Sequence, residues 1–258
     1  MKLYLHYISV ILRGTMQYKT SFFLMVAGRF LVSFNGVLGV YFIFQRFHQV
    51  KGYSFGDVLL CFAIIQMDFA LAECLSGGFA GFYQMVRKGE FDRVLLRPRS
   101  VILQVLGSKF LIDRLGLMAQ AVFLFVYGVV VSDIDWQIAR ICTLCIMVAG
   151  GTLLFVGIFM LNAALSFFSV EDLKLANILT YGAKEHGKYP IDIYGSRMMK
   201  LCTYIIPYTL IQYYPLQYLT GRSTNWYYGL YPFGAVLFVA LSYVIWRIGM
   251  RKYQSTGS

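Results

Sequence analysis

Apolar positions along this chain come in long unbroken blocks rather than in alternation. A helix needs about 20 mostly apolar residues to cross a bilayer. Blocks of that kind lie at 22–45, 54–82, 105–131, 138–168, 200–219 and 228–248. They predict six transmembrane helices, and the continuous runs exclude a β-barrel, whose strands alternate. Several blocks are long enough that the helices must tilt or extend into water. Ahead of them, Leu3, Tyr7, Val10 and Ile11 recur at helical spacing, with Lys2, Arg13 and Lys19 on the polar side. Residues 1–20 therefore read as an amphipathic helix lying in the membrane interface. No small-residue cleavage site follows, so a cleavable leader is not expected.

Composition turns this pattern into a solvent argument. Hydrophobic residues make up 59% of the 258 and charged residues only 14%. Ordinary soluble domains carry about 45–50% and about 25%. A soluble globule of this size would leave large apolar patches in water, and disorder requires low hydrophobicity. The whole chain, 1–258, reads as one all-α integral membrane domain. The net charge is +11. Its distribution points to lipid headgroups rather than nucleic acid. Lys2, Arg13 and Lys19, five Lys/Arg in 83–100, five in 169–200, and Arg247, Arg251 and Lys252 make sixteen on one side. Arg46, Lys51, Arg140 and Arg222 make four on the other. By the positive-inside bias both termini are cytoplasmic, with 169–199 a cytoplasmic amphipathic connector.

Catalytic signatures are missing. The sequence has no G-x-x-x-x-G-K-[ST], H-E-x-x-H or G-x-S-x-G. His6, His48 and His186 are scattered, and Cys142-x-x-Cys145 has no second pair or flanking His. No catalytic residue, cofactor or metal site is expected on this chain.

The most informative polar stretch is 86–98. Residues 90–97 make about two helical turns, entered at Gly89 and stopped by Pro98. Phe91, Val94 and Leu95 share one face, and Glu90, Arg93 and Arg97 another. Such a helix suits either the lipid headgroups or a groove on a partner protein. Charges also fall inside the apolar blocks, where they usually face a cavity or a partner. The spacing suggests that Arg29 pairs with Glu73 and Lys109 with Asp113, next to Arg114. Asp68 points elsewhere, toward a pathway or a fellow subunit. Gly77-x-x-x-Gly81 and Gly150-Gly151 mark close helix packing, more within one subunit than between two. Tyrosines crowd 204–231, where Pro207, Pro215 and Pro232 break helices. Broken helix at membrane depth needs shelter, so Pro207, Tyr208, Tyr214 and Pro215 are candidates for an outer gate or re-entrant element.

The run Lys88-Gly-Glu-Phe-Asp-Arg-Val-Leu-Leu-Arg-Pro98 resembles the cytoplasmic loop of ABC-2 permeases, the membrane subunits of ATP-binding-cassette transporters. Tyr189-Pro190-Ile191-Asp192-Ile193-Tyr194, then Ile206-Pro207-Tyr208 and Tyr213-Tyr214-Pro215, resemble the fifth-span region of one branch of that family. Gly249, Tyr253, Ser255 and Gly257 resemble its C-terminal pattern. The resemblance implies a permease, an exporter, in the bacterial cell membrane. It implies two permease subunits, identical or paralogous, above two copies of an ATPase chain that carries the ATP and Mg. Glu90, Phe91, Asp92, Arg93, Leu95, Arg97 and Pro98 would then contact the ATPase. The rival reading is an ATPase-independent proton-coupled carrier or intramembrane enzyme using Asp68, Glu73 and Asp113.

Overall fold

The computed structural model describes residues 2–47, 49–132, 134–168 and 178–254, so His48, residues 169–177 of the connector, and Ser255 and Gly257 lie outside it. Among the described residues there is no β-strand. The long helices are α2 (Lys19–Phe47), α3 (Phe55–Leu75), α8 (Arg114–Val131), α9 (Ile138–Leu165) and a C-terminal stretch, Trp226–Lys252, that ends in α13 (Gly234–Lys252). These five are long and apolar enough to cross a membrane. Together they make an all-α membrane protein.

α3 is the central post. Its start is fixed by a reciprocal cap: Ser54 Oγ accepts from the Asp57 amide at 3.2 Å, and Asp57 Oδ2 accepts from the Ser54 amide at 3.0 Å. This satisfies two backbone donors that a helix otherwise leaves open. Nearly every side chain from Val58 to Cys74 is buried, polar Gln66, Asp68 and Glu73 included. By contrast α2 buries only Val40 and Phe44 and leaves Leu24, Leu31, Val32 and Phe42 exposed, which suits a helix bathed in lipid or facing a second chain. α8 is wedged between them.

The block expected at 54–82 ends early. Ser76 closes α3, and two short helices follow, α4 (Gly77–Ala80) and α5 (Phe82–Arg87). Next come α6 (Glu90–Leu95) and α7 (Val101–Ser108). The block expected at 105–131 is likewise split, because the chain is extended at Lys109 and turns through Asp113 before α8 begins. Lys109 and Asp113 are thus not one helical turn apart, and Lys109 stands exposed. Helix α1 (Lys2–Met16) lies at this same end: Tyr4 donates to the Leu75 carbonyl at 2.6 Å, and the Tyr7 ring rests on Gly107. Tyr253, near the C-terminus, packs here too, against Phe91.

Glycines mark contacts within the chain. A Cβ on Gly78 would collide with the Val105 carbonyl, and one on Gly116 with the Val26 carbonyl. The glycine seam of α4 therefore lets α7 lie against it. Gly78→Val is expected to cost roughly 2 kcal/mol or more through forced repacking, read as a lower melting temperature of the purified protein in detergent.

The sequence expectation fails most clearly between 178 and 219. The stretch 200–219 is not one crossing helix. Instead, 178–192 keeps pace with α3 from end to end. Tyr181 donates to Glu73, Lys184 sits over Phe69, Gly187 backs onto Ile65, Lys188 sits over Phe62, and Asp192 reaches Tyr53. This segment is a π-helical turn (Ile178–Gly182), α10 (Ala183–Gly187) and a 3₁₀ turn (Ile191–Tyr194). Lys184 and Lys188 therefore lie alongside the buried α3.

After Asp192 the chain makes a hairpin. α11 (Ser196–Tyr204) leads inward to Cys202, Ile206 and Tyr208, which share the core with Phe69 and Phe155. A π turn (Thr209–Tyr213) and α12 (Tyr214–Leu219) lead back out, where Leu216 packs with Tyr53 and Val58. Pro207 stands at the tip and Pro215 in the first turn of α12, consistent with the breaks that proline imposes.

Candidate functional site

The loop at 86–98 is built from the inside out. Gly89 has φ +67°, a left-handed conformation open to glycine at no steric cost, and it turns the chain into α6. Phe91 then points inward and is fully buried. Its ring centroid lies 5.0 Å from Phe82, 5.5 Å from Phe167 and 5.0 Å from Tyr253. Trp246 completes the cluster, 4.8 Å from Phe82. Edge-to-face aromatic packing of this kind adds about 0.5–1.5 kcal/mol per pair beyond burial. Two polar ties fix the rest. Tyr253 donates its hydroxyl to Asp92 Oδ1 at 2.9 Å. Gln104 Nε2 donates to the Val94 and Arg99 carbonyls at 3.3 and 3.1 Å. Burial first, and then the hydrogen bond to Asp92, push the Tyr253 phenol up to about 12, so this tie keeps its proton throughout the physiological range.

What α6 leaves outside is Glu90, Arg93, Leu95, Leu96, Arg97 and Pro98. Leu96 is 84% exposed. The result is a short apolar tip ringed by charges. Its underside is fastened to α5, α7, the end of α9 and the C-terminal helix. Phe91 and Asp92 belong to that underside: they hold the tip rather than form it. Phe91→Ala is expected to destabilise the chain by about 3–5 kcal/mol, seen as a lower melting temperature of the isolated protein.

A second constellation joins four elements near the same end of α3. Arg114 forks onto Glu73, with Nε 2.6 Å from Oε2 and Nη2 2.8 Å from Oε1. Arg114 Nη1 is also 3.1 Å from Asp113 Oδ2, which Arg29 Nε meets at 3.1 Å. Tyr181 donates to Glu73 Oε1 at 2.8 Å. Arg29 is therefore met by Asp113, not by Glu73. The split of the third block causes this, because it swings Asp113 toward α2 and leaves Arg114 to face α3. Asp68 is separate. It is buried against Gly151 of α9, and neither carboxylate oxygen has a hydrogen-bond partner among the described residues.

At the opposite end, the proposed gate residues divide. Tyr208 is buried deep, 5.6 Å from Phe155. Tyr214 joins an outer tyrosine cluster with Tyr228 and Tyr231 at 5.2 and 4.9 Å. No metal-holding cluster of His, Cys, Asp or Glu occurs among the described residues, and Cys142 and Cys145 are exposed along α9.

The family described as "ABC-2 family transporter protein" matches residues 30–257. The chain belongs to the ABC-2 transporter family. No curated protein and no solved structure matches it. Membership makes this a membrane-embedded component of an ATP-binding-cassette transporter, a class that works with ATP-binding subunits and is generally not catalytic itself.

Within an ABC-2 permease the placement of charges gains meaning. The sequence marks the loop and the intramembrane charges but not Leu96 at the tip, Tyr181 on Glu73, or the place of Lys184 over Phe69. Leu96 follows the helical repeat by one residue and was passed over for Leu95. Tyr181 and Lys184 sat in a stretch read as aqueous. The signal for them was the π-helical and 3₁₀ shape of 178–194, which no apolar run announces.

Proposed function

We propose that this chain is the pathway-forming permease of an ABC exporter in the bacterial cell membrane. It would have six crossings, the fifth around 178–192, and both termini in the cytoplasm. The even count agrees with α1 and Tyr253 packing at one end. Two permease subunits would sit over two ATPase chains that hold the ATP and Mg. The observation that carries the reading is the exposed tip of α6, Glu90 to Pro98, riding on an aromatic underside tied to α9 and α13. A push on the tip is thereby passed to two long helices. Closure of the ATPases would then reopen the permease dimer on the other side of the membrane, with the hairpin around Pro207 as the outer closure.

The carrier or enzyme reading asks Asp68, Glu73 and Asp113 to act together. Two of these are held by the same arginine, and the third is unconnected to them, so they offer no relay. The test is purification of tagged protein from native membranes in mild detergent, with mass spectrometry of the chains that accompany it. A partner carrying G-x-x-x-x-G-K-[ST], with vanadate-sensitive ATPase activity in the complex, is expected. Recovery of the permease alone, under conditions that preserve other ABC complexes, would overturn the reading.

A further inference from the structure

Beside α6 lies a polar cavity of about 240 Å³, in which Gly78 and Gly81 form one wall and Gln84, Lys88, Glu90 and Lys109 line much of the rest. A water takes up roughly 30 Å³, so the space admits a phosphate group. Glycine keeps it open. A Cβ on Gly81 would stand 3.6 Å from Lys109 Cδ and 4.0 Å from its Nζ, so a longer side chain there would fill the room beside the ammonium. Two lysines meet one carboxylate in this cavity. Neither Lys88 nor Lys109 forms an ion pair among the described residues, with Glu90 or any other carboxylate. Ser108, also on the lining, spends its hydroxyl proton on the Val105 carbonyl at 2.7 Å. The donors left for a ligand are the two ammoniums and the Gln84 amide, a set that suits an anion with several acceptor oxygens.

The neighbours of the cavity set its depth. α3 ends at Leu75 and α8 starts at Arg114, so the lining residues lie just beyond the ends of two crossing helices. α1, whose apolar and basic positions segregate as in an interfacial helix, is fastened to the same end. Tyr4 donates to the Leu75 carbonyl, and the Tyr7 ring rests on Gly107, the residue before Ser108. Lipid phosphates occupy that level, and basic pockets there collect anionic headgroups.

We propose that this cavity holds the phosphate of an anionic phospholipid, with Lys88 and Lys109 on its oxygens and Gln84 as a further donor. The acyl chains stay in the bilayer, so the protein needs no room for them. Glu90 lines the cavity and also stands on the rim of the docking tip, so the lipid and the tip share one side chain. That the leaflet is the cytoplasmic one rests on the exporter reading; the binding itself does not.

The probe is dioleoylphosphatidylglycerol, titrated into the full-length protein in neutral detergent and counted as bound lipid by native mass spectrometry. It is expected to bind about tenfold more tightly than dioleoylphosphatidylcholine, whose headgroup cancels its own charge. Lys88→Gln and Lys109→Gln are each expected to weaken it about tenfold, the loss of one charge-assisted contact. Arg13→Gln removes the same charge from α1, outside the cavity, and is expected to leave binding nearly unchanged. Equal losses in Arg13→Gln and Lys109→Gln would mean diffuse surface attraction and overturn the proposal, as would equal binding of the two lipids. Glycerol phosphate carries the phosphate without the chains. Its displacing the lipid at equal concentration would point to a soluble phosphate ester and overturn the lipid assignment. Misfolding would also lower binding, so Glu90→Gln tests for a gain. Removing the carboxylate of the cavity is expected to tighten phosphatidylglycerol about fivefold, and no gain overturns the site. No ATPase enters these measurements, so a missing partner would remove the cytoplasmic assignment and leave the binding result standing.

Discussion

Leu96→Asp is expected to detach the ATPase from the permease while leaving the permease folded in the membrane. The residue is 84% exposed, so its removal takes little packing from the described part of the chain. Loss of a central interface anchor costs about 2 kcal/mol or more, which is roughly a thirtyfold drop in affinity. Two measurements check it: recovery of the ATPase in pull-down from membranes, and the melting temperature of the isolated permease. The first should collapse and the second should hold. The charge-reversal pair Glu90→Arg with Arg97→Glu is expected to act in the same direction, since both side chains stand on the rim of the same tip. Phe91→Ala is the contrasting control, because it removes the support and lowers stability first. Normal ATPase recovery and transport in Leu96→Asp would mean that α6 is a headgroup-anchored helix and not a coupling element.

The contrast between Leu96 and Phe91 shows what the sequence could and could not tell. Periodicity placed a short amphipathic helix here, and it correctly separated Phe91 from Glu90, Arg93 and Arg97. It could not say which face pointed inward, because the partners of Phe91 come from Phe82, Phe167 and Tyr253, far apart in the chain. The same limit governs the charges. Arg29, Glu73, Asp113 and Arg114 were legible as intramembrane charges from their place in apolar blocks. Their pairing was not, because it turns on a break at 109–113 that no proline or glycine cluster marks. The segment 178–192 was harder still. It carries Lys184, Glu185, His186 and Lys188, so it fails every test of apolar length. It is accommodated by specific company: Lys188 beside Glu185 at 2.5 Å and over Phe62, and Lys184 over Phe69. Such compensation is a property of the assembled bundle. Between 200 and 219 the apolar run reads as one crossing, and only the breaks at Pro207 and Pro215 are marked locally, because proline acts on its own helix.

The second large effect is expected at Glu73. Its carboxylate is 1% exposed and takes the fork of Arg114, itself 13% exposed, and the hydroxyl of Tyr181. Glu73→Leu would leave Arg114 buried with only Asp113, an anion it already shares with Arg29. Breaking a buried pair from one side costs about 3–5 kcal/mol, because the surviving charge stays desolvated. The asymmetry is the test. Replacing both partners, Glu73→Leu with Arg114→Met, removes the stranded charge and is expected to recover most of the melting temperature lost in the single variant. It would also free Asp113 to serve Arg29 alone. Three proteins melted side by side in the same detergent decide it. If the double variant melts no higher than Glu73→Leu, the pair is not the source of the stability. If the single variant melts like the parent, Arg114 finds enough in Asp113, and the junction of α2, α3, α8 and the 178–192 segment is held by apolar packing alone.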